Sequence, residues 1–171
     1  MGTNIIFLDF DGVMGYCDVE EMEYTPPWCS RRVRPIFNTG AVEAIRVLCE
    51  SLKDIRFVLS TTWRLEIRPG YEPHFMRWYC NFPQELSVRF VGSTPNFLDQ
   101  SRDEEISSWL THTTFNVSSW VCINHATLNT THLYKIPGEG RYLCVDDTPK
   151  ILEMLKLDPQ IKFGVFGNIK Q

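Results

Sequence analysis

At 171 residues, with 43% apolar and 22% charged side chains, the chain can bury a full hydrophobic core in one domain and is unlike a disordered polymer. A formal charge of −4 excludes a broad basic face that would track duplex phosphates, so no extended duplex binding is expected, whereas a short or terminal phosphate stays compatible. No apolar run approaches the roughly 20 residues of a membrane span and no basic, apolar leader precedes the first strand, so a soluble, cytoplasmic protein is expected.

The first element is the apolar strand Ile5-Ile6-Phe7-Leu8, which ends in Asp9-Phe10-Asp11-Gly12-Val13. Charge at a strand's carboxyl end lies where open α/β sheets bind ligands. Side chains two apart on a strand share a face, so Asp9 and Asp11 repel each other and a divalent cation would relieve the repulsion. An acidic loop after a buried strand is the plainer reading of the same residues. Met14 to Asn38 holds Pro26-Pro27, Pro35, Glu20-Glu21-Met22-Glu23 and Arg31-Arg32-Val33-Arg34 without sustained periodicity. It reads as a long loop or small flap (14–38) over the pocket of a single domain spanning 1–171.

Val42, Ile45, Leu48, Cys49 and Leu52 then recur at helical spacing after a cap at Asn38 or Thr39. The strand Ile55–Leu59 runs into Ser60-Thr61-Thr62-Trp63-Arg64, whose hydroxyls can donate to a phosphate oxygen or merely terminate the strand. After the break at Pro69-Gly70, the aromatic segment from Pro73 to Phe82 reads as a short helix. Its rings, like Trp63, are assigned to packing rather than to base stacking. A third strand is predicted at Val88–Val91. Ser101-Arg102-Asp103-Glu104 forms a capping box for the next helix, and Arg102 in its first turn, where the helix dipole disfavours a cation, points to an anionic neighbour.

A strand follows at Trp120–Ile123, then a polar loop from Asn124 to Gly140 containing Lys135. Tyr142–Val145 is predicted as another strand, discharging Asp146 and Asp147 at its tip. Thr148-Pro149 then starts a helix carrying Ile151, Leu152, Met154 and Leu155. A last strand is predicted from Ile161 to Phe166. The six cysteines form no CxxC pair and are read as buried, reduced thiols.

Strands alternating with helices imply a three-layer α/β fold with a mostly parallel sheet. Asp9, Asp11, Ser60, Thr61, Asp146 and Asp147 would gather along one edge, and acids from two strands supply the hard oxygen ligands of Mg²⁺ while leaving room for a substrate phosphate. With Asp9-Phe10-Asp11-Gly12-Val13 at the first strand, Ser60-Thr61 at the second and Asp146-Asp147 further on, the chain resembles the haloacid dehalogenase (HAD) superfamily of phosphohydrolases. Ser60-Thr61-Thr62-Trp63-Arg64, with Arg102, Glu105-Ile106 and Trp109-Leu110, resembles more narrowly the small HAD domains associated with RNA repair proteins.

The resemblance implies a Rossmann-like core with minimal or no cap. It further implies that Asp9 is the nucleophile forming an aspartyl phosphate, and that Asp11 is the acid that protonates the leaving oxygen and then activates water. Mg²⁺ would be held by Asp9, Asp11, Asp146 and Asp147, and phosphate by Ser60, Thr61 and a basic residue. For that basic residue Arg102, Lys135 and Lys150 compete, and Arg102 is preferred for its place before a helix. The alternative alignment of the fourth motif ends the Trp120 strand in Asn124-His125. The expected activity is hydrolysis of a phosphomonoester, on a nucleotide or a nucleic-acid end. The alternatives are a silent phosphate-binding or interaction module and a phosphotransferase.

Overall fold

Ile5, Ile6, Phe7 and Leu8 are all fully buried, so the strand they form must be covered on both faces. The computed structural model describes residues 2–15, 19–21, 23–30, 33–138 and 140–156. In chain order its elements are β1 (Thr3–Leu8), β2 (Val19–Glu21), β3 (Val33–Pro35), α1 (Thr39–Ser51), β4 (Ile55–Leu59), α2 (Glu72–His74), α3 (Gln84–Ser87), β5 (Phe90–Ser93), α4 (Arg102–His112), β6 (Val117–Asn124), β7 (Leu133–Lys135) and α5 (Thr148–Lys156).

Among the described residues five strands form one sheet in the order β5-β4-β1-β6-β7, and each pairing between them is parallel. The chain therefore fills one side of β1 first and then crosses to the other. That makes the carboxyl end of β1 the switch point where such sheets open a crevice. Alternate residues of β1 serve different layers. Ile5 and Phe7 pack with Val58, Cys122, Ile106 and Leu110 under α4, whereas Ile6 and Leu8 join the larger core with Ala41, Ala44, Ile45 and Leu48 of α1 and with Ile151 and Leu155 of α5.

Local chemistry sets the helix boundaries. Asn38 caps α1 by accepting from Gly40 N–H at 2.8 Å, and Ser101 with Glu104 forms the predicted capping box of α4. The segment read as a loop contains a small antiparallel hairpin, β2 with β3, and Asn38 N–H donates to Met14 C=O at 2.7 Å, so the excursion leaves and returns at one point. Between 72 and 79 the chain is helical as expected, but α2 passes into a wider turn over Phe75–Tyr79, closed by Cys80 N–H to Phe75 C=O at 2.9 Å. Cys29, Cys49, Cys80, Cys122 and Cys144 are free thiols, the first four buried, and burial pushes Cys49 up to about 11 and Cys122 to about 12. No helix among the described residues is long and apolar enough to cross a membrane.

Three strand predictions need correction. The third sheet strand begins at Phe90, because Val88 ends a helical turn and is exposed. The fifth strand is Leu133–Lys135, inside the segment read as a polar loop, and Tyr142–Val145 is not a strand. Leu143 is fully buried against the loop after β1, its N–H donating to Val13 C=O at 2.9 Å. Its apolarity serves the core without joining the ladder, a distinction that a four-residue run does not encode. The strand expected at Ile161–Phe166 lies outside the described residues.

Asp146 and Asp147 consequently sit in a 3₁₀ turn (Val145–Asp147) that leads into α5, Asp146 exposed and Asp147 buried. Asp147 accepts from Tyr134 Oη at 2.5 Å and Arg141 at 2.8 Å on Oδ1, and from Cys144 N–H at 2.9 Å on Oδ2. Burial works to raise its pKa, but the Tyr134, Cys144 and Arg141 bonds outweigh burial and hold the carboxyl below its usual range. A depressed carboxyl stabilises the fold fully above its unfolded pKa and loses that contribution as pH falls through the folded value. Asp147→Asn should therefore cost about 2 kcal/mol at neutral pH, with the deficit shrinking below about pH 4. Urea unfolding of both proteins across that range measures it, and a deficit independent of pH would contradict the charge-based account.

Candidate active site

The carboxyl ends of β4, β1 and β6 supply three adjacent side chains. Ser60 N–H donates to Leu8 C=O at 2.9 Å and Asp9 N–H donates to Ile123 C=O at 3.1 Å, so the parallel ladders run past the ends of the strands. Extending the registers Leu8↔Leu59 and Leu8↔Ile123 by one step sets Ser60 and Asn124 on either side of Asp9.

Asp9 is 8% exposed, and its carboxylate is fixed. Oδ1 accepts from Phe10 N–H at 2.8 Å, and Oδ2 lies 3.4 Å from His125 Nδ1. Burial raises the Asp9 pKa, an effect partly offset by the Phe10 N–H and the nearby His125 and Arg102, while Asp11 adds repulsion. Asp11 stands at the start of a tight turn made by Val13 and Met14 N–H bonding to Phe10 C=O and by Gly12 N–H bonding to Gly15 C=O. Gly12 has φ +74°, and a Cβ there would come within 2.7 Å of His125 Cγ, so both backbone and packing require glycine. Trp63, almost fully buried, points its indole N–H at Asp11 Oδ1 across 3.4 Å. Its ring is core, as expected, and its nitrogen orients the second acid.

The hydroxyls after β4 differ. Thr61 Oγ1 accepts from Trp63 N–H at 3.4 Å and caps the short turn that follows, whereas Ser60 Oγ is buried with no hydrogen-bond partner among the described residues. A buried hydroxyl without a partner is costly, and a ligand oxygen would satisfy it.

Of the three competing cations, Arg102 is the one whose charge acts on Asp9. Lys135 donates to Thr127 Oγ1 at 2.8 Å and Lys150 lies over the Tyr134 ring. Arg102 is itself anchored by Glu105 Oε2 at 2.7 Å, and Glu105 Oε1 receives the guanidinium of buried Arg64, also at 2.7 Å. Arg64 reaches in addition to the carbonyls of Thr61 and Thr94 at 2.6 and 3.0 Å. The helix-dipole argument for an anion near Arg102 is thus met by Glu105 within the helix and by Asp9 beyond it. The i,i+3 spacing of Arg102 and Glu105 was visible in the sequence, but Arg64–Glu105, 41 positions apart, carried no local signal.

The structure brings Asp9, Asp11, Ser60 and Arg102 into one neighbourhood, with Asn124 and His125 on the β6 side. Asp146 and Asp147 lie in the turn before α5, with Asp147 bonded to Tyr134, Arg141 and Cys144. Among the described residues no group of three or more His, Cys, Asp and Glu side chains is gathered in a metal-holding cluster. The chain's residues 5–135 match the family model for the HAD domain in Swiss Army Knife RNA repair proteins. No curated protein and no solved structure matches it.

Proposed function

The chain belongs to the family of HAD domains found in Swiss Army Knife RNA repair proteins, and from that premise we propose that it is a cytoplasmic, Mg²⁺-dependent phosphohydrolase that removes a terminal phosphomonoester from a nucleic-acid end or nucleotide. The observation that carries the reading is the fixed Asp9 carboxylate at the switch point of the sheet, with Asp11 oriented by Trp63 and an unsatisfied Ser60 hydroxyl beside it.

In this reading Asp9 attacks phosphorus through Oδ2, since Oδ1 is engaged by Phe10 N–H. The phosphorus–oxygen bond to the leaving group breaks as the Asp9–phosphorus bond forms, and Asp11 gives its proton to the departing oxygen. Asp11, now a carboxylate, takes a proton from water, which displaces phosphate from Asp9 and regenerates both acids. Ser60 Oγ donates to a phosphoryl oxygen, and Arg102, steadied by Glu105, offsets its charge. Asp9 and Asp11 supply oxygen donors of the kind Mg²⁺ takes, one or two carboxylates with phosphate oxygens and water completing the shell, so the residues fit the ion. When bound, Mg²⁺ would screen Asp9 from the phosphate and stabilise charge on the transferred group.

Trp63→Phe keeps an aromatic ring in the core and removes the N–H to Asp11 along with part of the buried bicycle, so its melting curve is recorded beside its kinetics. It should lower kcat about 10-fold with KM changed less than about twofold, as expected when a general acid loses its orienting bond. Steady-state kinetics with a phosphorylated oligoribonucleotide measures this, and an unchanged kcat would remove Trp63 from the machinery. The reading itself is tested by incubating the wild-type protein and Mg²⁺ with oligoribonucleotides phosphorylated at the 5′ or 3′ end, and with nucleoside monophosphates. Release of inorganic phosphate is expected from at least one, and none from any would sink it.

A second reading, a phosphate-binding module without turnover, is favoured by one observation: among the described residues no third carboxylate joins Asp9 and Asp11. Phosphate bound without turnover would select it.

A further inference from the structure

Trp78, read with its neighbours as packing, is 67% exposed, whereas Phe75, Met76, Tyr79 and Phe82 are buried. We propose that the outer face of the 71–78 segment, formed by Tyr71, His74, Arg77 and Trp78 and extended by Arg68, is a track for a single strand of nucleic acid whose phosphorylated end lies at Asp9, with a base stacking on Trp78. The inference rests on the nucleic-acid reading above for the direction of the strand, and its binding test needs no turnover.

Tyr79 is turned inward, its hydroxyl donating to Val33 C=O, so the side chain before it faces out. Beside Trp78 lies a concavity of about 180 Å³ bordered by Pro73, His74, Arg77 and the exposed Val88. That is below the roughly 300 Å³ of a small-molecule site and on the scale of one planar ring. Single exposed apolar side chains are ordinary, but an indole grouped with cations is the combination that binds single strands. Arg77 lies over the Trp78 ring, 5.4 Å from its centroid, and Arg68 over the Tyr71 ring at 5.9 Å. The Tyr71 and His74 rings are 5.7 Å apart, which joins the two pairs into one strip.

The chain as a whole is acidic, so a strip that takes phosphates needs its neighbouring carboxylates engaged elsewhere. Glu72 is buried and accepts from Ser93 Oγ at 2.8 Å, Glu66 accepts from the Ser30 hydroxyl, and Glu85 holds Arg46 at 3.0 Å. Among the described residues no carboxylate is paired with Arg68 or Arg77. The strip also starts at the catalytic edge. Leu8 pairs with Leu59 and Leu59 with Ser93, so the bond from Ser93 to Glu72 sets the start of the segment two strands, or about 10 Å, from the end of β1. From Glu72 to Trp78 the helical rise adds about 9 Å, and at about 3.4 Å per stacked nucleotide the whole path spans several nucleotides.

The test is fluorescence anisotropy with labelled, unphosphorylated single-stranded oligoribonucleotides of increasing length. Affinity should rise up to about 6 nucleotides and fall about 10-fold in Trp78→Ala, while Trp78→Phe, which keeps a stacking face, should stay within about threefold of wild type. Arg68→Ala and Arg77→Ala should each reduce the slope of log Kd against log salt by about 0.7, the share of one phosphate contact on a single strand. Lys156→Ala, at the end of α5, should match wild type, and a duplex of the same sequence, whose bases are closed to stacking, should bind at least about 10-fold more weakly. With a phosphorylated hexamer Trp78→Ala should raise KM about 10-fold at unchanged kcat, and with a nucleoside monophosphate, too short to reach the ring, it should change neither. Because the side chain is exposed, the variant should melt with wild type. Equal single-strand binding by wild type and Trp78→Ala, or duplex bound as tightly as single strand, would overturn the proposal. So would sedimentation showing a self-association that Trp78→Ala abolishes, which would give this face to a second copy of the chain. The binding measurements release no phosphate, so they stand or fall apart from the hydrolytic reading.

Discussion

Asp9→Asn is expected to lose at least about 1,000-fold in phosphate release while retaining the wild-type fold, because the amide is isosteric but cannot form an acyl phosphate. The carboxylate has no substitute nearby. Asp11 is turned toward Trp63, and the 3.1 Å bond from Asp9 N–H to Ile123 C=O belongs to the backbone, so it survives the exchange. Burial and the repulsion of Asp11 both oppose a charge at position 9, and neutralising it removes that strain. The variant should thus match or exceed wild type in thermal stability as it loses turnover. Single-turnover assays with a phosphorylated oligoribonucleotide, run beside a melting curve, separate the two effects. Residual turnover within 10-fold of wild type would remove Asp9 from the chemistry, and unfolding of the variant would show that the charge holds the loop together.

The second large effect is expected at Glu105. Its carboxylate is 94% buried, and each oxygen receives one guanidinium at 2.7 Å, from Arg64 on one side and Arg102 on the other. Arg64 is as deeply enclosed, with burial working to lower its pKa and Arg102 adding to that effect, opposed chiefly by Glu105. Removing the carboxylate leaves an interior cation without its partner, a change that costs about 3–5 kcal/mol. For a chain of this length Glu105→Ala should melt about 10 °C lower. Glu105→Gln, which can still accept one of the two bonds, should fall between. Turnover should drop in both, since Arg102 loses its anchor. A melting point within about 2 °C of wild type for the alanine variant would refute the account of the network.

Much of this was legible in the chain. The strand at Ile5–Leu8, the helix from Thr39 and the capping box at Ser101 are each specified by neighbours a few positions apart, and each stands where the pattern put it. Asp9, Asp11, Ser60 and Arg102 were legible for the same reason, since each follows a strand or opens a helix whose pattern is clear. What failed was resolved by competition at distance. Leu133–Lys135 looked polar because an edge strand of three residues needs only Tyr134 inside. Tyr142–Val145 looked like a strand because Leu143 is core. The acidic pair beyond it was then misplaced with it, and Asp147 is drawn instead into bonds with Tyr134 and Arg141. His125 was offered only by the alternative alignment of the fourth motif, and its place beside Asp9 comes from β6 lying against β1, more than 100 positions away.

The bond from Asn38 N–H to Met14 C=O closes the segment between them like the neck of a purse. Both ends of the neck are fixed, Met14 in the core and Asn38 as the cap of α1, and the segment is tied down between them by Cys29 in the core and by Ser30 N–H to Glu66 C=O at 3.2 Å and Arg68 N–H to Trp28 C=O at 3.1 Å, which leaves the β2–β3 hairpin as its outlying part. Doubling the length of such an excursion adds only about 0.6 kcal/mol of closure entropy. Residues added at the exposed tip of that hairpin, where Glu20 and Glu21 face solvent, would therefore enlarge the purse while both ends of its neck, and the Asp9 edge beyond them, keep their places.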